Sequence, residues 1–322
     1  MLDVMFYEAF EEEKQALKQY IPGDWRVGFS SRTIQQDGQR DVPARVISVR
    51  TQSRIPLVWA EALEGILTRS QGYDHLARYL RKSEVPVPCG YLPEYCARAV
   101  AEQAVWMMMA LWRKARGQIR QLATFDRDGL SGRQCLGRRA LVVGVGRIGR
   151  QIVDLARGLR MEVKGVDICH RENDLVYVPL SEGVAWAEVI FCALPLTDQT
   201  RAMINYEVLR GMPPGGLLIN VGRGEVTPLN DARRLLEEAR LAGLGLDVYP
   251  EEDKVADYLR GGTGVRTPSV EAVLDLKDRD DVLMTPHNAF NTQEAVQRKA
   301  SESVTSLRYF WQRGVFPCPV VP

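Results

Sequence analysis

Gly144, Gly146 and Gly149 form a G-x-G-x-x-G turn within the stretch ALVVGVGRIGRQIVDLARGLRMEVKGVD. An apolar run (141–143) precedes the turn and an amphipathic stretch (147–159) follows it. A second apolar run then ends in Asp167. This pattern suits the diphosphate of a dinucleotide. Gly144 permits the tight turn, Gly146 lets the backbone approach the diphosphate, and Gly149 lets the following helix pack closely on the strand. The helix N-terminus offers free N–H groups and partial positive charge. Asp167 accepts hydrogen bonds from ribose hydroxyls and repels a 2′-phosphate, which favours NAD over NADP. Arg171, close by, weakens that discrimination without reversing it. Further along, Arg223 stands between Gly222 and Gly224 after the apolar run GLLINV, the acidic pair Glu251 and Glu252 follows LDVYP, and His287 ends the run DVLMTPH. Guanidinium makes paired, planar hydrogen bonds to a carboxylate. Imidazole gives and takes a proton near neutral pH.

The elements that must position these residues alternate between short apolar runs and amphipathic stretches, which predicts an α/β architecture with parallel sheets. DVMFYEAF reads as a strand running into a helix, and VISV and GILTRS as further strands. Residues 74–82 read as a helix and VPVP (85–88) as extended. A long helix is expected over about 94–116, closed by Gly117, with its Met107–Met109 run belonging to a core. After a polar connector (124–137), strands are expected at RRALVVG, 162–167, 188–195, 216–221, 244–249 and 281–287. A charged, glycine-rich insertion occupies 253–280, and a final helix runs over about 293–312.

With 322 residues and 45% hydrophobic content, two domains are the default expectation. The 42 basic and 41 acidic residues leave a net charge of +1, which gives no electrostatic case for nucleic acid or an anionic membrane. No run approaches the ~20 apolar residues of a membrane span. The opening MLDVMFYEAFEEEK lacks the basic flank and the long apolar core of a signal peptide. The six cysteines form no C-x-x-C pair, so reduced thiols in a cytoplasmic protein are expected, and no metal site is expected.

The order of motifs resembles the D-isomer-specific 2-hydroxyacid dehydrogenases, nearest their D-lactate dehydrogenase branch. RSQGYDH (69–75), AVAEQAV (99–105), GVGRIG, CALPLTDQT (192–200), INVGRGE (219–225), LDVYPEE (246–252) and TPHNAF (285–290) stand in the family's order over most of the chain. The resemblance implies an NAD-dependent oxidoreductase that interconverts a small 2-keto acid and its D-2-hydroxy acid. It implies two doubly wound parallel-sheet domains, a Rossmann-type NAD domain (98–291) inserted in a flavodoxin-like substrate domain (1–97 and 292–322). The chain would cross between them near 97 and 291, at a hinge over a cleft. A homodimer joined through the cofactor domains is expected, with no nucleic-acid or membrane partner.

The resemblance also distributes roles. Arg223 holds the substrate carboxylate and polarises the ketone, and His287 is the proton donor in reduction. Of the three histidines, His75, His170 and His287, only His287 sits at the C-terminal end of an expected cofactor-domain strand within a matching motif. Glu252, rather than Glu251, orients His287, because the family's acid stands five positions after the Asp of LDV; the family often has another acid where Pro250 stands. Besides the turn glycines, Arg147, Ile148, Asp167, Leu194, Pro195, Thr200, Val221, Gly222 and Asp247 match positions at the NAD site. Gln71 and Gly72 match the loop whose backbone N–H groups meet the substrate carboxylate. Pyruvate or a somewhat larger 2-keto acid is the expected partner. The alternatives are a phosphite or hydroxypyruvate/glyoxylate dehydrogenase, or an NADH-sensing corepressor-like binding protein. Gln71, where phosphite-oxidising relatives carry lysine, counts against phosphite.

Overall fold

The computed structural model describes residues 1–261 and 264–321. The chain forms two compact units, one of residues 1–96 and 291–322 and one of residues 97–290.

The first unit opens with β1 (Leu2–Phe6) and α1 (Glu11–Tyr20). It continues through β2 (Val27–Phe29), α2 (Ile34–Asp37), β3 (Ala44–Val49), β4 (Gly65–Thr68), α3 (Asp74–Lys82) and β5 (Cys89–Tyr91). Its sheet has the order β2-β1-β3-β4-β5 and every pairing is parallel, the flavodoxin-like doubly wound arrangement. The strands are buried on both faces, so they read as continuous apolar runs such as GILT rather than alternating ones. The apolar side chains of Ile47, Val49, Trp59, Ile66 and Leu76 form its core.

The second unit begins with α4 (Ala97–Trp112), α5 (Ala115–Gln121), β6 (Arg139–Val143), α6 (Arg147–Gly158), β7 (Glu162–Val166) and β8 (Val176–Tyr177). There follow α7 (Leu180–Trp186), β9 (Val189–Cys192), α8 (Tyr206–Leu209), β10 (Gly216–Asn220), α9 (Leu229–Glu237) and β11 (Leu241–Leu246). It ends with α10 (Glu252–Leu259), α11 (Pro268–Leu276) and β12 (Val282–Met284). The sheet order is β12-β11-β10-β9-β6-β7-β8, all parallel. Winding reverses between β6 and β9, and in such sheets ligands bind at the strand C-termini beside that reversal. The chain then returns to the first unit as α12 (Gln293–Arg313), which packs along α1. The terminal segment pairs with β5, Tyr91 N–H donating to Cys318 O and Val320 N–H to Cys89 O, and so covers a sheet edge.

Several elements differ from their sequence reading. The long helix stops at Trp112, because Lys114 adopts a left-handed conformation (φ 52°), and α5 starts afresh after it. Met107 and Met108 of its methionine run are buried and Met109 is exposed. The extended VPVP segment gives its strand only from Cys89. β11 lies at LAGLGL, earlier than 244–249, and its glycines admit neighbouring side chains: a Cβ on Gly245 would stand 2.7 Å from Ile219 and 3.2 Å from Met107. The insertion at 253–280 contains α11, capped by Thr267 with Pro268 in its first turn, and most of α10; its residues 262 and 263 lie outside the described residues. Among the described residues no helix is long and apolar enough to cross a membrane.

Candidate active site

The cofactor turn leaves β6 and enters α6. Gly144 has φ +90°, and a Cβ on Gly149 would fall 1.9 Å from Gly144 O, so helix and turn touch through backbone alone. A Cβ on Gly146 would meet nothing within 4 Å. No protein contact needs that glycine, and the open space beside it is where a diphosphate would lie against the α6 N-terminus. Arg147 is exposed and Ile148 half-buried at the start of α6. Asp167, half-buried just past β7, accepts from Val145 N–H (2.7 Å) and Cys169 N–H (2.8 Å). It therefore ties the glycine turn to the end of β7. These residues fit a dinucleotide.

The segment after β9 carries Leu194, Pro195 and Thr200. Thr200 Oγ1 donates to Pro195 O (2.6 Å) and accepts from Thr197 N–H (2.8 Å), which closes the loop on itself. Val221 and Gly222 are buried at the end of β10. A Cβ on Gly222 would meet Leu194 O at 2.6 Å, so the two loop segments run in backbone contact.

Arg223 follows at half-burial, its Nη1 donating to Gly222 O (2.8 Å). Its turn is fixed by Asn220, which the sequence reading passed over. Asn220 is buried, donates to Arg223 O (3.0 Å) and accepts from Gly222 N–H (3.0 Å). A Cβ on Gly224 would stand 1.9 Å from the Tyr249 carbonyl carbon. That close crossing brings the Arg223 turn against the segment leading to Glu252.

Glu252 opens α10 and meets His287 Nδ1 through both oxygens, at 2.7 and 2.8 Å. Glu251 is placed elsewhere, paired with Lys254. Glu251 and His287 both have positive φ, 51° and 49°, an uncommon conformation for residues other than glycine. The surroundings hold His287 there. Its N–H donates to Thr285 O (2.9 Å) in a turn around Pro286. Asp247, almost wholly buried, accepts from Asn288 N–H (2.8 Å), Ala289 N–H (2.9 Å) and Thr285 Oγ1 (2.6 Å). Tyr249 Oη adds a bond to Thr285 O (2.7 Å). Thr285 and Tyr249 are further supporting residues, and unlike Asn220 their partners are remote in sequence.

The electrostatics are coupled. Burial pushes the His287 imidazole down. The Glu252 charge, the hydrogen bond it makes and the Asp247 charge push it up, and Arg223 pushes it down; the net shift is upward. Burial raises the Asp247 carboxyl, although His287, Thr285 and the two backbone donors oppose it. The other histidines are placed differently: His170 stacks on Tyr177 at 4.2 Å and His75 lies in the first turn of α3. Gln71 and Gly72 belong to the other unit, half-buried in the loop after β4.

Residues 105–289 match the family described as D-isomer specific 2-hydroxyacid dehydrogenase, NAD binding domain. The chain is 29% identical to D-lactate dehydrogenase of Lactiplantibacillus plantarum over 90% of this chain and 85% of that protein. It is 30% identical to 2-hydroxyacid dehydrogenase A of Aspergillus oryzae over 88% of this chain and 82% of that one. The crystal structure of D-lactate dehydrogenase from Aquifex aeolicus, complexed with NAD and lactic acid, superimposes with a TM-score of 0.84 at 26% identity, covering 99% of both chains. The D-2-hydroxyisocaproate dehydrogenase structure shares the fold, with a TM-score of 0.84. With its parallel-sheet NAD-binding domain and its glycine turn, the chain belongs to the D-isomer specific 2-hydroxyacid dehydrogenase family.

Proposed function

We propose that this NAD-dependent oxidoreductase reduces pyruvate or a somewhat larger 2-keto acid to the D-2-hydroxy acid, with Arg223, Glu252 and His287 as its catalytic set. The observation that carries the assignment of roles is the two-oxygen contact of Glu252 with His287 Nδ1. It leaves Nε2 as the imidazole atom that moves a proton. Bound NADH supplies the hydride. Arg223 pairs with the substrate carboxylate and polarises the ketone, and His287 as imidazolium protonates the developing alkoxide. Glu252 keeps the ring oriented and charged; in the oxidative direction the neutral ring takes the proton back. By the family resemblance, Gln71 and Gly72 would offer their backbone N–H groups to a substrate carboxylate. The two units would act as substrate domain and NAD domain. The D-lactate dehydrogenases among the relatives favour pyruvate.

NADH oxidation followed by absorbance, with pyruvate, larger 2-keto acids, hydroxypyruvate and glyoxylate, tests this reading. Turnover is expected with pyruvate or a larger 2-keto acid as the best substrate. Silence across the panel with NADH binding intact would overturn it in favour of an NADH-sensing protein. Asp167→Ala is expected to weaken NADH binding by about tenfold, the loss of one hydrogen bond to a charged group, and to narrow the preference over NADPH. Unchanged selectivity would mean that another group reads the ribose.

A homodimer through the second unit is supported by exposed apolar side chains there: Trp106 and Met109 on α4, Ile119 on α5, and Leu122 and Phe125 just beyond it. A reducing, cytoplasmic setting accords with the six cysteines, none of them in a disulfide.

A further inference from the structure

The first unit buries an ionic cluster that no part of the proposed chemistry uses. Glu13 on α1, Arg69 at the end of β4 and Lys299 on α12 are each 0% exposed. One carboxylate oxygen, Glu13 Oε1, takes both cations, Arg69 Nε at 2.8 Å and Lys299 Nζ at 2.9 Å. Arg69 also donates to groups on and just beyond the strands beside it, through Nη1 to Ser48 Oγ (3.1 Å) and through Nη2 to Tyr7 O (2.6 Å). Its backbone N–H donates to Val49 O (2.8 Å). The residue is thus fixed to β1, β3 and α1 at once.

Arg69 is also the first residue of the loop that carries Gln71 and Gly72. Past it the loop has lighter ties: Ser70 Oγ donates to Gly72 O (2.8 Å) and Leu92 N–H to Ser70 O (3.2 Å). Cys96 Sγ reaches Gln71 Oε1 (3.8 Å). Lys299 touches this loop by two routes. One runs through Glu13 to Arg69. The other runs through the ring of Tyr95, 5.8 Å from Nζ and next in sequence to Cys96. The Phe10 ring lies 5.0 Å from the same Nζ.

A buried ion cluster is a poor way to gain stability, because apolar residues of similar volume generally do as well or better. Its value lies in direction: it holds charged side chains to one geometry. We infer that Glu13, Arg69 and Lys299 are positioning residues, a buried brace from the C-terminal helix that sets the loop bearing Gln71 and Gly72 for the substrate carboxylate. This rests on the reading that the loop receives that carboxylate.

The charged and titratable groups facing Lys299 are Glu13 from α1, Arg69 from the end of β4, Arg50 from the end of β3, and Tyr95. Burial, with Arg50 and Arg69 against Glu13, brings the lysine down to about 7. The unfolded chain therefore holds this proton more tightly than the folded one. Between about pH 7 and the ordinary lysine range, the contribution of Lys299 to stability becomes more favourable as pH rises.

Lys299→Met is the decisive variant, because brace and stability then move in opposite directions. At pH 7 its Tm is expected to equal or exceed that of the wild type, with the advantage shrinking towards pH 9. Its KM for the 2-keto acid is expected to rise by about fivefold or more, with kcat within about twofold and NADH affinity unchanged, as loss of ground-state binding requires. Amide exchange over residues 69–73 is expected to quicken. Arg69→Lys keeps a charge opposite Glu13 but gives up the bonds to Ser48 and Tyr7, and is expected to raise KM and quicken exchange likewise; it decides the matter if Lys299→Met does not fold. Unchanged KM and unchanged exchange, or a common fall in Tm, kcat and NADH binding, would overturn the brace. Absence of turnover in the wild type would instead strike the proposed function, and the exchange measurement would still judge the brace.

Discussion

Replacing His287 by alanine is expected to lower kcat for 2-keto acid reduction by about 10³-fold, within the range that a positioned general acid supplies. NADH affinity is expected to stay near the wild-type value. The split follows from how the loop is held. Asp247 grips the segment through the backbone N–H groups of Asn288 and Ala289 and through Thr285 Oγ1, and none of these bonds uses the imidazole. Alanine tolerates φ 49° less readily than histidine, but the three bonds to Asp247 hold the loop to its path. What disappears is the proposed proton donor, together with its contact with Glu252. On the proposed assignment Arg223 still holds the substrate carboxylate, so KM for the keto acid is expected to move much less than kcat. Single-turnover reduction with NADH already bound separates the effects. A slow chemical step with normal NADH binding supports the assignment. A kcat within tenfold of wild type would place the acid elsewhere.

The part of this site that was legible in the sequence is the part made by local backbone. The glycine turn, the strand before it and the acid after the next strand lie within one continuous stretch, and each has a local physical reason. His287 was legible because it ends an apolar run within a motif. The supporting groups were not, because their roles depend on side-chain contacts, some of them remote in sequence, that no local pattern signals. Asn220 reads as one more strand-end residue until its side chain is seen bonded to the Arg223 carbonyl. Lys299 reads as an ordinary charge on an amphipathic helix, yet it is wholly buried against Glu13. The fold shows the same division. Parallel strands announce themselves as unbroken apolar runs, whereas β11 is disguised by Gly243 and Gly245, whose place is set by the neighbours that fill the space. The segment 253–280 reads in the sequence only as a charged, glycine-rich insertion. The Thr267–Pro268 start and the buried Val270, Val273 and Leu276 carried a helix signal within it.

The other large effect concerns Glu252, and it separates orientation from proton transfer. Glu252→Gln is expected to lower kcat at pH 7 by about 10²-fold or more, the kind of loss seen when a carboxylate that holds a catalytic imidazole is neutralised. The pH dependence carries the argument. In the wild type, burial and Arg223 work against the imidazolium, while Glu252 and Asp247 sustain it, so the folded His287 holds its proton to a higher pH than a free histidine. On the proposed assignment reduction needs that proton, so its rate falls as pH rises through the raised value. Glutamine removes the largest group sustaining the charge and leaves burial and Arg223 in place. The falling limb is therefore expected to move towards acid by about one pH unit or more. Glutamine can also present its amide N–H to Nδ1, which would favour the wrong tautomer and lower the plateau as well. Glu251→Gln is the control, because Glu251 pairs with Lys254 rather than with the imidazole; it is expected to leave both limb and plateau near wild type. Rate–pH profiles of the three proteins over pH 5–9 decide the outcome. A falling limb that stays in place in Glu252→Gln would show that another group sustains the imidazolium, and Asp247, already close enough to raise His287, would be the first to examine.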